Sequence, residues 1–187
     1  MKTLLALAAA SAVAAFAAPA FAATNGSIGY SQFSISSTDV NAISGRFAWD
    51  MTDDASSIVF GIEGEAALGI GEQTKGTGAS REASKLSSEF GVFGVATAPL
   101  SDNFSVFARA GYANVDIKNT LGTGSTATHA SYSEGGLAYA AGATWNWDDM
   151  NGMRFDYTHY DTNIASTASF KGYDANAWTL SLVHNFK

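Results

Sequence analysis

The run Trp178-Thr179-Leu180-Ser181-Leu182-Val183-His184-Asn185-Phe186 decides the fold. Trp178, Leu180, Leu182, His184 and Phe186 share one parity. Thr179, Ser181 and Asn185 share the other, broken only by Val183. Alternation of bulky, mostly apolar side chains with small polar ones is the signature of a β-strand with two unlike faces.

The same period recurs upstream. Ile43, Gly45, Phe47, Trp49 and Met51 oppose Arg46, and Ile58, Phe60, Ile62, Ala66, Leu68 and Ile70 oppose Glu63, Glu65 and Ala67. Val106, Ala108, Ala110 and Tyr112 oppose Arg109 and Gly111. Leu137, Tyr139, Ala141, Ala143, Trp145 and Trp147 share a face, and Phe155 and Tyr157 oppose Arg154, Asp156 and Thr158. Segments 27–35 and 86–98 also read as strands, with less regular parity. The pattern predicts about eight strands: 27–35, 41–51, 58–70, 86–98, 104–117, 135–147, 153–162 and 172–186.

The start of the chain reads as an export signal. Lys2 supplies a positive charge, Leu4 to Ala15 an apolar middle, and Ala20-Phe21-Ala22 a small-residue cleavage site. Residues 1–22 are therefore expected to be removed, leaving 23–187 as one domain. With Lys2 gone, the net charge moves from −7 to −8. An acidic chain lacks the clustered Lys and Arg that nucleic-acid binding requires. There is no cysteine, which excludes disulfides and thiolate metal sites. The three histidines form no recognisable metal spacing, and no cofactor is expected.

Charged residues make up only 14% of the chain, against roughly 25% in average proteins. Yet no later segment approaches the roughly 18 apolar residues of a spanning helix. Strands closed on themselves resolve that conflict, because closure satisfies every backbone polar group without water. The polar faces are mostly Gly, Ala, Ser and Thr rather than the Lys and Glu of a wet surface. Small side chains suit the crowded interior of a narrow barrel. The reading is an all-β, eight-stranded antiparallel up-and-down transmembrane β-barrel, bulky face to lipid. A secreted soluble β-domain is the competing fold.

The connections agree. Those after the second, fourth and sixth strands are short and turn-like, whereas those after the third, fifth and seventh are longer and rich in Gly, Ser and Thr. Outer-membrane barrels have short periplasmic turns and longer outside loops. Segments 71–84, 118–130 and 163–171 are therefore expected outside, where contacts would be made.

Arg46, Glu63, Glu65, Arg109, Arg154 and Asp156 all fall on the predicted lumen side, three cations against three anions. Buried charges survive when paired, so an internal ion-pair network is expected. Acid/base work by Glu63 and Glu65 would need substrate access that a filled lumen denies. Trp49, Trp145 and Trp147 beside the short turns, with Tyr157, suit an aromatic girdle at the membrane interface.

Ile62-Glu63-Gly64-Glu65, Phe107-Ala108-Arg109-Ala110-Gly111-Tyr112 and Arg154-Phe155-Asp156-Tyr157-Thr158 resemble the small outer-membrane β-barrel ("porin family") proteins of Gram-negative bacteria. That group includes Omp25-like and opacity-type surface proteins and is akin to the OmpA transmembrane domain. The resemblance spans the mature chain. It implies an eight-stranded antiparallel barrel in the bacterial cell outer membrane, with no enzymatic activity and no necessary pore. It also implies that the last strand, Trp178 to Phe186, is read by the outer-membrane assembly machinery. Two departures fall there: Lys187 follows Phe186, and His184 stands where an aromatic is usual. No peptidoglycan-binding domain is expected after the barrel.

The expected partners are outer-membrane lipid and lipopolysaccharide, the latter through Lys75, Arg81 and Lys85; a monomer is favoured. One alternative is a barrel enzyme modifying lipid A through His129 and Ser131, with Glu134 orienting the base. A catalytic pair needs hydrogen-bond reach, and Tyr132 replaces the Asn that follows Ser in such enzymes. Another alternative is a small-solute channel. Gly76-Thr77-Gly78 and Gly122-Thr123-Gly124 are loop tips, not phosphate-binding motifs.

Overall fold

A computed structural model describes residues 25–35, 38–51, 57–77, 81–122, 127–161 and 175–186. The expected signal, 1–22, and the loop 163–171 lie outside these residues. The strands are β1 (Asn25–Ile35), β2 (Thr38–Asp50), β3 (Val59–Ile70), β4 (Gln73–Lys75), β5 (Glu82–Ser101), β6 (Phe104–Leu121), β7 (Thr128–Asn146), β8 (Asn151–Asp161) and β9 (Ala175–Asn185). All pairings are antiparallel.

Apart from β3 and β4, sequential strands pair with each other, and β1 pairs with β9 along its full length. The β3–β5 ladder, from Val59↔Thr97 to Leu68↔Ser88, completes the circle. Eight strands form the barrel. The three-residue β4 sits in the loop after β3 and pairs only with β5. No helix of the described residues is long and apolar enough to cross a membrane, which says nothing of strands.

The side chains sort as the alternation requires. On β9, Trp178, Leu180, Leu182, His184 and Phe186 are exposed, while Thr179, Ser181 and Val183 are buried. Val183, the break in the pattern, faces inward. Ile43, Phe60, Ile62, Leu68, Phe90, Val92, Tyr112, Leu137, Tyr139 and Phe155 point outward and are exposed. The soluble alternative would hide these residues in the core; here the core holds small, polar and charged side chains beside a separate apolar set that includes Phe33, Leu86 and Tyr160.

The longest strands, β5, β6 and β7, overrun the sequence reading. Residues 82–84, 118–121 and 128–130, expected in loops, and residues 85 and 131–134, assigned to no element, continue the barrel ladders as an arm beyond the rim. Both faces of that arm carry Ser, Thr, Lys and Asn. No apolar alternation marks it, although backbone pairing persists. Gly71, Gly76 and Gly122 adopt positive φ beside this arm, where a Cβ would be strained.

At the opposite rim, Asp148 builds the β7–β8 turn. Its Oδ1 accepts from the Met150 amide at 2.8 Å, the Asn151 amide at 2.7 Å and Asn151 Nδ2 at 3.1 Å. The Asn151 side chain, then the Met150 N–H, holds this exposed carboxyl below its ordinary value. A depressed value means the turn's contribution is present above the unfolded aspartate value of about 3.9 and fades as pH falls further. Carboxyl NMR titration of Asp148 should give a midpoint below that of an ordinary aspartate.

Leu180 is 49% exposed and Ser181 is 2% exposed at the middle of β9. Leu180→Arg should cost about 2–4 kcal/mol in vesicle unfolding, the cost of a cation at mid-bilayer. Ser181→Arg should prevent folding by crowding and by placing a second cation beside Arg46 Nη1, now 3.4 Å from Ser181 Oγ. Equal tolerance of both substitutions would contradict the facing.

Candidate functional site: the charged lumen and the outer wall

Four strands deliver the charges to one point. Arg46 comes from β2, Glu63 and Glu65 from β3, Arg109 from β6, and Arg154 and Asp156 from β8. Glu65 is the cross-strand partner of Arg46. The Arg46 guanidinium donates to Glu65 at 3.0 Å and to both Asp156 oxygens at 2.8 and 3.1 Å. Arg109 Nη1 contacts Glu63 Oε1 at 2.5 Å and also Glu65 Oε2, while Nη2 donates to Thr158 Oγ1 at 2.9 Å. Arg154 clamps Glu63, with Nη1–Oε2 at 2.5 Å and Nη2–Oε1 at 3.3 Å. Six buried side chains thus connect β2 and β3 to β6 and β8 across the lumen.

Two aromatic shelves help position the arginines. The Arg154 guanidinium lies 3.8 Å over the Phe107 ring, and Arg109 lies 4.3 Å over Phe93. Each ring occupies space left by a glycine. A Cβ on Gly142 would meet Phe107 Cζ at 2.5 Å, and one on Gly91 would meet Phe93 Cε2 at 2.5 Å. Ser31 links Ser44 at 3.0 Å and Thr179 at 2.9 Å, tying β1 to both neighbours.

The lumen is layered. Towards the long-loop rim, Phe33, Val40, Leu86, Val115 and Tyr160 form an apolar cluster, with Phe33 and Tyr160 stacked at 5.7 Å. At the short-turn rim a vestibule of about 170 Å³ is lined by Asp50, Thr97, Asn146 and Val183, among others, and reaches Glu63 and Arg154.

Sequence reasoning missed Glu89. It is wholly buried, and among the described residues neither carboxylate oxygen has a hydrogen-bond partner. The β5–β6 register shifts between Leu86 and Ser88, so Leu86 and Glu89 both face inward although their numbers differ in parity. Strict period-2 reading fails at such a bulge. The outward pair Phe90 and Val92, read alone, is the signal that could have found it.

The aromatic residues separate into two levels. Trp145 and Trp147 meet edge-on at 6.1 Å near the short-turn rim, where Trp49 also stands at the end of β2. Tyr157 is not with them; six residues along β8 from the Asn151 end, it stands opposite Trp178 in the other half of the wall. One band at the short turns was too simple. A barrel wall has two interfaces, and only the register assigns a ring to one of them.

His129 and Ser131 lie on β7, two residues apart along one outward face, so roughly 7 Å separates their positions. The His129 Nδ1 partner is Thr120 Oγ1, at 3.1 Å. Glu134 has the opposite parity to both. The three do not assemble into a nucleophile, a base and an orienting group. Among the described residues no cluster of three or more His, Cys, Asp or Glu suits a metal. Arg81 is paired with Glu72 at 3.0 Å. Lys75 lies on β4, and Lys85 stands opposite Lys118 across β5 and β6.

Residues 3–186 match the profile of the outer membrane protein beta-barrel domain family. Among solved structures, the chain is similar to Ail, the attachment invasion locus protein of Yersinia pestis. Identity is 15%, coverage is 87% of this chain and 97% of that one, and the TM-score is 0.60. It is also similar to Neisserial surface protein A, at 11% identity, 87% and 95% coverage and a TM-score of 0.53. The N-terminal barrel of Pseudomonas aeruginosa OprF matches at 9% identity, 86% and 98% coverage and 0.53. No curated protein sequence matches the chain. At these identities the structural likeness establishes the fold alone.

Removing one partner of a buried ion pair costs about 3–5 kcal/mol, because the other charge is stranded. Glu63→Gln, which leaves Arg154 only its 3.4 Å contact with Asp156 while Arg109 keeps Glu65, should lower unfolding stability in vesicles by that amount. Adding Arg154→Gln should recover part of the loss, and the double-mutant cycle measures the coupling.

Proposed function

This chain belongs to the outer membrane protein beta-barrel domain family, and from that premise we propose that it is a structural, non-enzymatic barrel serving envelope integrity and surface contact. The lumen carries the reading. Arg46, Arg109 and Arg154 are spent on Glu63, Glu65 and Asp156, and Phe33, Leu86 and Tyr160 fill the space beyond them. An interior committed to cross-bracing is a poor conduit for solutes. Its carboxylates have arginine partners rather than a substrate cleft. The His129–Ser131 arrangement gives no support to lipid A chemistry.

Contact with the exterior then falls to the arm of β5, β6 and β7, whose loops face outward in the usual orientation of such barrels. Lys85 and Lys118 are both exposed and directly opposite. Like charges in that position repel, and an anion between them relieves the repulsion. Lipopolysaccharide phosphate is the anion at hand in the outer leaflet. In this reading Lys118 joins Lys85, and Arg81 is set aside because Glu72 already neutralises it. The alternating strand Trp178 to Phe186 presents its outward face to lipid and to the assembly machinery during insertion.

Purified protein in planar bilayers should show no stable conductance; a reproducible open channel would overturn the braced-lumen reading. Lipopolysaccharide in the vesicles should raise the unfolding midpoint of the native protein. The Lys85→Gln/Lys118→Gln variant should lose most of that rise.

A further inference from the structure

The outer wall carries a second polar cluster that the lumen and the lysine pair do not explain. Asn176 on β9 pairs in register with His159 on β8, which in turn faces Tyr139 on β7. Asn176 Oδ1 accepts the Tyr157 hydroxyl at 2.7 Å and lies 2.7 Å from His159 Nδ1. An amide oxygen only accepts, so Nδ1 carries a proton, which leaves Nε2 as the ring's second polar atom. Its oxygen is held twice, and among the described residues the two N–H groups of Asn176 Nδ2 have no partner. Tyr139 packs on the His159 ring at 4.9 Å, and Trp178 meets Tyr157 at 4.5 Å.

These groups stand at the outer end of β8 and β9, directly above the lipid-facing Phe155, Leu180 and Leu182. Whatever lies against them is therefore the headgroup of a lipid whose chains cover that band. The cluster offers an amide donor, an imidazole acceptor and aromatic rings, and none of its five members is Lys or Arg. That combination matches hydroxyl groups on a ring with apolar C–H edges, and it lacks the cation that favours phosphate. We propose that Asn176, His159 and Tyr157, flanked by Tyr139 and Trp178, form a binding site for the sugar headgroup of an outer-leaflet glycolipid. A sugar hydroxyl donates to His159 Nε2, other sugar oxygens accept from Asn176 Nδ2, and the rings carry the sugar's C–H edge. The proposal shares the outer-leaflet placement of the family but is independent of the lysine pair, which takes phosphate.

The test is NMR titration of the folded protein in phosphatidylcholine nanodiscs, following the Asn176 side-chain amide and the His159 ring nitrogens. The probes are a neutral glucosyl diacylglycerol and phosphatidylglycerol. The glycolipid should shift both side chains saturably, and phosphatidylglycerol should not. Asn176→Ala and His159→Ala should each weaken glycolipid binding roughly three- to tenfold, the effect of one hydrogen bond. The Lys85→Gln/Lys118→Gln variant should bind it as the native protein does. Equal shifts with phosphatidylglycerol, or unchanged glycolipid affinity in both alanine variants, would overturn the site. Conductance and the lysine effect would stand or fall separately.

Discussion

Hydrocarbon offers no partner for a backbone N–H or C=O, and every other feature of this molecule answers to that. A sheet in lipid must have no open edge. The β3–β5 ladder removes the last one. Closure with only eight strands then forces a narrow interior. Ser31, Ser44, Ala42, Ala67, Ala138, Ala177 and Thr179 leave the space that a few long side chains need. Gly91 and Gly142 do the same for the Phe93 and Phe107 rings beneath Arg109 and Arg154.

In that space, charge is tolerable only in company. Three guanidiniums and three carboxylates converge from four strands, and their shared contacts make the opposite walls one mechanical unit. Desolvation makes such pairs doubtful as sources of net stability. Their clearer effect is geometric: they penalise any register that separates them. Glu89 stands outside this balance as a fourth lumen carboxylate at the edge of the apolar layer, with no arginine partner of its own.

The exterior has a different logic at each height. At mid-wall, Leu180, Phe155 and Ile62 meet chains. Trp145 and Trp147 stand near the short-turn rim, and the paired Tyr157 and Trp178, then His159 and Asn176, follow Phe155 and Leu180 toward the long-loop rim. Beyond that, β5, β6 and β7 continue without an apolar face.

Much of this was legible in period-2 alternation, because lipid on one side and a packed lumen on the other impose unlike chemistry on successive residues. The strand count, the facing of β9 and the inward placement of Arg46, Glu65, Arg109 and Asp156 all follow from it. The signal is lost where its cause is lost. Above the rim the apolar alternation stops, so residues 82–84, 118–121 and 128–130 read as loops although their backbones are paired. At the Leu86–Ser88 bulge an extra residue inverts the parity, and Glu89 goes unseen. What local order in the chain established was therefore the class of surface each residue meets, since alternation is a property of neighbours. Which carboxylate holds which arginine, which rim a tyrosine joins, and that Asn176 lies beside His159 were decided only by strand register, because these contacts join residues 17 to 110 positions apart and depend on how the sheet closes.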